Sequence, residues 1–316
     1  MDFSPYCLYD SAARLYQIYT EWMSGEDAWS MQVSLLCFDV LCRINVPKSQ
    51  LPTGATLLGT ILSLDKTNIS VLTGNRVAHL LLISLANIKM ETRLKLSSHT
   101  FLLATLLPVP KFVHNNKRMK GVLEARLIHQ CLDIVLEPLK QAAKLGVMLS
   151  DPWGYSQYCF TPIASYIVDT PEAAMLAAVG GKMSPITMAM YKEFGDDFRH
   201  EPCTSSTTLA QLAAAASKAD PSDIEAYFRE AQKFCLNGVH LPFWHDVPLS
   251  CPSSFFNPEI LHHFHKKFGD HDSKWCINAL GPAEVDFRFS VLQPIMGFRH
   301  FKEGISSLKQ VTGQTL

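Results

Sequence analysis

The sequence predicts an α/β fold in which a mixed β-sheet is flanked by helices, with a mostly helical insertion and C-terminal region. Three observations predict it. Apolar runs typical of buried strands recur between residues 57 and 109. A long amphipathic helix is predicted over 121–145, and another strand-like run, 158–168, follows it. Because strand and helix patterns alternate in this way, we expect a sheet covered by helices.

The composition is that of an ordinary globular protein. The 316 residues are 47% hydrophobic and 18% charged, with a formal net charge of −1, so any nucleic-acid-binding surface must be local. The nine cysteines are scattered without a CxxC pair, which predicts a reducing compartment. The N-terminus lacks a secretory signal pattern, and Val33–Val46 is too short and too charged to span a bilayer. An intracellular protein without membrane segments is expected.

The stretch Leu57–Val71 organises the first half of the chain. Its run of apolar and small residues leads into a lone carboxylate, Asp65, where we expect a buried strand to end or turn. Asp65 then either closes a turn through hydrogen bonds or is held out to bind a metal. Beyond it, the apolar segments 69–72 and 79–88 flank Thr73-Gly74-Asn75, which is a hairpin signal.

Helices are predicted where apolar residues recur at helical spacing beside capping residues. They cover 9–23, 121–145 (with Gly146 as the stop), 173–179, 223–234 and 259–268. The basic patch His114–Lys120, which precedes the longest of them, is interpreted as a solvated loop, with phosphate contact as the alternative.

A second carboxylate follows a strand-like run. Tyr158–Val168 ends in Asp169, and Thr170-Pro171-Glu172 then opens a helix. Two core strands that each end in an isolated Asp resemble the ribonuclease H-like layout, whose first and fourth strands present carboxylates to a metal pair. Two divalent ions roughly 3.5–4 Å apart repel each other, so converging anionic oxygens must hold them.

One helical pair offers further ligand chemistry. Glu259 and His262 are three residues apart, so a helix would place them on one face. Such a pair could bind a metal or brace a site through a hydrogen bond. The alternative is a polar, partly solvated helix surface.

Several sequence blocks in order, from about Tyr19 to the C-terminus, are more specific than any single motif. With them the chain resembles the Plavaka-type transposases of basidiomycete fungi, which are cut-and-paste DDE enzymes with a ribonuclease H-like core. The blocks are LPTGATLLGTILSLDKTNIS, ANIKMETRLKLSSH, IASYIVDTPEAAML, PFWHDVPL, NPEILHHFHKKFGDHDSKWC and GFRHFKEGISSLKQVTG.

The resemblance implies roles for particular residues. Asp65 and Asp169 would be the first two catalytic acids and would bind two Mg²⁺ or Mn²⁺ ions, while Glu259 and His262 would support the site. The partner would be DNA at transposon ends, the location the nucleus, and no membrane partner is expected. The DNA-contact candidates are Lys66, Lys117, Arg118, Lys120, Arg299 and Lys302.

Departures from the family pattern predict a truncated fragment. The third acid is expected beyond Leu316, with Glu284 and Asp272 as weaker substitutes within the chain, and part of residues 31–50 resembles an insert or retained intron. The predicted regions are an N-terminal helical remnant (1–50), the core (51–180), a linker or helical insertion (181–252) and a truncated helical C-terminal region (253–316). Two hypotheses stay open: a DNA-cleaving enzyme, and a non-catalytic DNA- or protein-binding remnant in which Asp65 only closes a turn. A homo-oligomer is also possible under either hypothesis.

Overall fold

The computed structural model describes residues 5–10, 16–33, 52, 54–70, 76–151, 153–258, 268–296 and 300–308. The chain divides into two compact units, residues 1–257 and residues 258–316. None of the described helices combines the length and the apolar character that crossing a membrane requires.

The strands of the described residues group into three sheets. They are β1 (Leu8–Tyr9), β2 (Gln17–Ile18), β3 (Thr56–Leu57), β4 (Thr60–Ser70), β5 (Arg76–Leu85), β6 (Leu102–Leu107), β7 (Val147–Ser150), β8 (Ser156–Phe160), β9 (Ile163–Val168) and β10 (Phe256–Pro258). The largest sheet has the order β10-β9-β4-β5-β6, a second has the order β3-β8-β7, and β1 pairs with β2.

The helices in the described part of the chain are mostly short. They are α1 (Glu26–Val33), α2 (Met90–Arg93), α3 (Lys117–Val135), α4 (Glu137–Leu145), α5 (Thr170–Leu176), α6 (Ser205–Ala216), α7 (Ile224–Gln232), α8 (Pro252–Phe255), α9 (Lys274–Leu280) and α10 (Pro282–Ser290). Two 3₁₀ turns, Trp22–Ser24 and Leu96–Ser98, and a π-helical segment, Phe268–Ser273, complete them.

The five-stranded sheet is mixed, which confirms the predicted α/β fold. Strand β5 is antiparallel to both β4 and β6, so three consecutive strands form a meander. Strand β9 returns parallel to β4. Parallel neighbours need a long crossover, and here α3 and α4 lie between β6 and β9 in the chain.

The main core lies between this sheet and helices α3, α5 and α7. Leu62 and Leu64 of β4 are buried in it, together with Ile128 and Leu132 of α3. Ile61, on the alternate face of β4, is buried in a separate cluster with Ala86 and Ala164. Both faces of the first half of β4 are therefore covered, as a near-continuous apolar run predicts for a central strand.

The prediction that the strand ends or turns at Asp65 is wrong. Strand β4 continues to Ser70, and Asp65 pairs with Leu80 of β5 in an antiparallel register that shifts only after Asn68. What changes at Asp65 is the solvent exposure of the strand, because residues 65–68 are exposed whereas those before them are mostly buried. Pairing with β9 stops at Ser63, so the second half of β4 loses one neighbour but keeps the other. The predicted turn, 73–75, lies outside the described residues.

The basic patch is a loop, as predicted, only over residues 114–116, and residues 117–120 begin a helix instead. Asn116 caps helix α3 by accepting a hydrogen bond from the Arg118 backbone N–H at 3.0 Å, so Lys117 already belongs to the helix. The single helix predicted over 121–145 is two helices that meet at Leu136. Pro138 lacks the N–H that would continue the hydrogen-bond ladder there. Gly146 stops the second helix, as predicted, with φ of 74°.

Two other predicted boundaries change. The run 158–168 contains two strands, because β8 ends at Phe160 and β9 begins at Ile163. The predicted helix over 9–23 is wrong in its described residues, where Tyr9 and Gln17 pair as antiparallel β1 and β2. The helix predicted over 223–234 is confirmed as α7, whose N-cap is Asp223.

The second unit has its own short helices. Helix α10 follows α9 after Gly281, and Asp286 of α10 accepts hydrogen bonds from the backbone N–H groups of Ile305 and Ser306, both at 2.8 Å. These bonds attach the segment after α10 to the helix itself.

Candidate active site: an acidic cleft beside β4 and β9

Asp65 and Asp169 line one cleft of about 340 Å³. The last paired residues of β4 and β9 are Ser63 and Ile167, and each aspartate lies two residues further along its strand direction. Neighbouring strands are about 4.8 Å apart where they pair, so parallel register brings the two aspartates to the same end of the strand pair. The structure therefore brings together the two acids that the sequence singled out.

Asp169 caps helix α5. Its Oδ1 accepts a hydrogen bond from the Glu172 backbone N–H at 2.9 Å, and Pro171 occupies the first turn. An N-cap carboxylate satisfies an otherwise unpaired backbone donor and interacts favourably with the helix dipole. The same cap holds the Asp169 carboxylate at the mouth of the cleft, where its residue is exposed.

Asp65 does not close a turn. It lies within β4, and the neighbouring contact to its Oδ2 is a hydrogen bond donated by Thr67 Oγ1 at 3.1 Å. Residues two apart on a strand point to the same face, so this bond runs along the strand. The version of the non-catalytic hypothesis in which Asp65 closes a turn is therefore wrong.

Two further carboxylates line the cleft. Glu124 comes from α3 and Glu172 from α5. Glu124 Oε1 forms an ion pair with Lys66 Nζ at 2.9 Å, so a DNA-contact candidate lies on the cleft wall. Glu124 was not predicted as a site residue, because nothing local to α3 indicates which helix face lies beside Asp65 and the end of β9.

A buried histidine orients Glu172. His79 of β5 is fully buried, and its Nε2 lies 2.7 Å from Glu172 Oε1, whose side chain is 12% exposed. An imidazole Nε2–H that donates to a carboxylate restricts the rotamers of both groups. The buried Tyr166 hydroxyl is close enough for Glu172 to contribute to raising the pKa of Tyr166, although burial is the larger cause. The contact with buried His79 therefore holds the Glu172 carboxylate at the cleft.

The basic DNA-contact candidates have different surroundings. Arg118 lies over the Phe228 ring, 4.9 Å from its centroid, whereas Lys117 and Lys120 are exposed on α3. Lys302 is exposed in the second unit. Glu259, His262 and Arg299 lie outside the described residues. Of the substitutes for a third acid, Glu284 pairs with Arg288 at 2.8 Å within α10, and Asp272 is exposed in the π-helical segment.

A different group has the convergence that a metal ion requires. Among the described residues, the one set of three or more His, Cys, Asp or Glu ligand atoms within 4.8 Å of one another is Asp133, His245 and Asp246. Buried Lys140 lies against it and pairs with both aspartates, at 2.5 Å from Asp246 Oδ1. The lysine ammonium already supplies the cation that these two carboxylates need.

The carboxylates of the acidic cleft do not converge to that degree. Its donor set is nevertheless suited to Mg²⁺ or Mn²⁺, because both ions prefer carboxylate oxygens to nitrogen or sulfur ligands. The residues present fit such ions in the chemistry of their oxygen donors, and they line one cleft.

Comparison with known proteins gives one match. A family model described as Plavaka transposase matches residues 1–276. The matched range includes all the cleft residues and ends within α9. No curated protein and no solved structure matches the chain.

Proposed function

This chain belongs to the Plavaka transposase family, and we propose that its acidic cleft cleaves DNA at transposon ends and joins the freed 3′ ends to target DNA. The observation that carries the proposal is the common cleft of Asp65 and Asp169, which the parallel pairing of β4 and β9 brings together. Family membership supports a transposase-derived function, and the cleft supplies a place for the chemistry.

The strand arrangement supports a ribonuclease H-like core. The first three strands of the large sheet form an antiparallel meander, and the fourth, β9, lies beside the first, β4, in parallel. In the proposed fold the first and fourth strands present the metal-binding acids. Asp65 is on the first of these strands, and Asp169 directly follows the fourth.

Asp65 and Asp169 would hold the divalent ions, with Glu172 and Glu124 as further oxygen donors at the cleft wall. When bound, two such ions activate water and stabilise charge on the attacking and leaving oxygens of a phosphodiester. Four carboxylates offset the positive charge of two divalent ions better than two carboxylates, which reduces the dependence on an additional acid. Lys66, paired with Glu124, would lie beside the DNA backbone and offset its negative charge.

The residues around the acids orient them for this task. The α5 cap fixes the position of Asp169, the Thr67 hydroxyl donates to Asp65, and His79 restricts Glu172 from the buried side. Ligands on strands and helix caps are held more precisely than ligands on loops. The proposed partner is therefore DNA, bound in the nucleus, and the proposed cofactors are two Mg²⁺ or Mn²⁺ ions.

The test uses the purified chain and a supercoiled plasmid with Mn²⁺, Mg²⁺ or EDTA. We expect metal-dependent nicking that Asp65→Ala and Asp169→Asn each abolish. Asp197→Ala is the matched control, because Asp197 is exposed and does not line the cleft. Absence of metal-dependent nicking by the pure wild-type chain, or nicking that survives Asp65→Ala, would refute the proposal. Salt-sensitive DNA binding in EDTA without any nicking would identify a non-catalytic remnant instead.

A further inference from the structure

We infer that a groove beside the acidic cleft binds one unpaired nucleotide of the DNA strand next to the scissile phosphate. This inference rests on the proposed DNA-cleaving function and assigns a binding site for the strand that the cleft acts on. The groove, of about 240 Å³, lies between α3, α5 and α7. It shares Gly121, Ala125, Pro171 and Met175 with the acidic cleft, so the two depressions are continuous.

The groove is lined mainly by apolar side chains. Val122, Ala174, Val179, Leu236 and Phe228 form its largely buried apolar floor, and Arg118 lies over the Phe228 ring. A phosphate or sugar would gain little from such a surface, whereas a nucleobase presents a large flat face that packs on apolar groups and on a guanidinium plane such as that of Arg118. The chemistry of the lining therefore favours a base.

The size of the groove limits the ligand to a single base. Pockets for drug-sized molecules have volumes of roughly 300–1,000 Å³, and this groove is smaller, at about 240 Å³. A base that remains in a duplex is stacked and paired and could not enter. The groove thus selects a nucleotide that is unpaired, either at a frayed end or in a single strand.

Arg118 is positioned at the groove to bind the backbone of that nucleotide. Its guanidinium lies over the Phe228 ring at 4.9 Å from the centroid, and the Gln232 side-chain oxygen can accept from Arg118 Nη1 at 3.2 Å and from Nη2 at 3.0 Å. Guanidinium carries five N–H donors, so three stay available for a phosphate. The side chain is exposed yet held by two neighbours, which reduces the entropy lost on binding.

The one amide side chain in the groove has its own partners. Asn237 Nδ2 donates to the Met175 carbonyl at 2.9 Å, and its Oδ1 accepts from the Val239 backbone N–H at 3.0 Å. Its side-chain groups are thus already engaged in holding the loop after α7 against α5. Binding by stacking without base-edge hydrogen bonds tolerates any base, so we expect little sequence preference.

Two glycines leave room for the strand. A Cβ atom added at Gly121, between the groove and the cleft, or at Gly181, on the groove wall, would meet no atom within 4 Å. Both positions therefore face open space that a ligand could occupy. A large side chain at Gly181 should fill the groove without disturbing the core, which makes this position suitable for a blocking variant.

The test compares a fluorescein-labelled dT10 with an otherwise identical abasic 10-mer by fluorescence anisotropy in EDTA, where no cleavage occurs. We expect the wild-type chain to bind dT10 at least about fivefold tighter. Gly181→Phe should remove this discrimination. Gly195→Phe is the matched control, because Gly195 is exposed and its added Cβ also meets open space, and it should retain the discrimination.

A second variant covers the case in which Gly181→Phe does not fold. Arg118→Ala, at an exposed position, should weaken binding of both oligonucleotides and reduce the salt dependence by about one phosphate contact. Equal wild-type affinity for dT10 and the abasic strand, or an Arg118→Ala variant with an unchanged salt dependence, would overturn the inference. Base discrimination without metal-dependent nicking would instead overturn the cleavage function and support the groove as a single-strand site.

Discussion

Asp65 within β4 and Asp169 directly after β9 each lie two residues beyond the last residues that pair these parallel strands, Ser63 and Ile167. This arrangement depends on register, because a shift of one residue in β9 would point its side chains to the opposite face. Asp169 is also the N-cap of α5, so the same residue begins a helix and lines the cleft. A structural and a proposed catalytic role are therefore combined in one side chain.

The two roles of Asp169 are separable by mutation. Asp169→Asn keeps an oxygen that caps α5 but removes the charge, so we expect stability near that of the wild type and loss of nicking. Asp169→Ala removes the cap as well and should cost about 1 kcal/mol of unfolding free energy in addition. Urea denaturation and plasmid nicking measure the two effects. Equal nicking by wild type and Asp169→Asn would show that the charge is not required.

Glu172 should contribute to divalent-ion binding. Glu172→Gln keeps an oxygen that can accept from His79 but leaves a neutral amide, so we expect the affinity for Mn²⁺ to fall several-fold in calorimetric titrations. Glu225→Gln, on the exposed side of α7, is the matched control and should bind Mn²⁺ like the wild type. Unchanged Mn²⁺ affinity of Glu172→Gln would exclude a role for this carboxylate.

Acid should destabilise the protein through His129. This fully buried imidazole accepts from the Phe243 backbone N–H at Nδ1, and its Nε2 lies 3.1 Å from the Met175 carbonyl. Burial lowers the pKa of His129 from 6.5 to about 4. Below pH 6.5 the His129 imidazole of the unfolded chain therefore binds a proton, whereas in the folded chain it stays neutral until about pH 4. Stability should fall by roughly 3 kcal/mol across that window, at 1.36 kcal/mol per pKa unit.

The measurement is the unfolding free energy in urea between pH 7 and pH 4. His129→Gln removes the buried imidazole, so its stability should decline less steeply across this range, whatever its value at pH 7. His200→Gln changes a partly exposed histidine beside Asp196 and should keep the wild-type slope. An equal slope in His129→Gln and wild type would contradict the assignment.

Lys140 should act as the resident cation of the Asp133, His245 and Asp246 group. Lys140→Ala leaves two carboxylates without their partner, and we expect a loss of roughly 1–3 kcal/mol. The same change exposes three convergent ligands of the types that Zn²⁺ prefers. Zn²⁺ should therefore raise the melting temperature of Lys140→Ala but not that of the wild type. A Zn²⁺ effect on both proteins, or on neither, would contradict this role.

Local sequence signals predicted much of the fold. Capping and periodicity located α7 and the C-terminal end of α4, because these depend on residues close in sequence. The same signals failed where tertiary context outweighs them. The polar residues after Asp65 indicated the end of a strand, but β4 continues to pair with β5 as far as Ser70. Likewise, Asn116 caps a helix within a patch whose charge predicted a loop.

What the sequence alone determined is the chemistry carried by two apolar strand runs: two isolated aspartates, one of them followed by a helix start. The tertiary structure decided that they line one cleft. The parallel pairing of β4 with β9 joins segments that are about a hundred residues apart in the sequence. The same packing places Glu124 and Glu172 in the cleft and His79 against Glu172, although nothing in their local sequence indicates a site. Long-range register, which no local pattern encodes, assembles the acidic cleft.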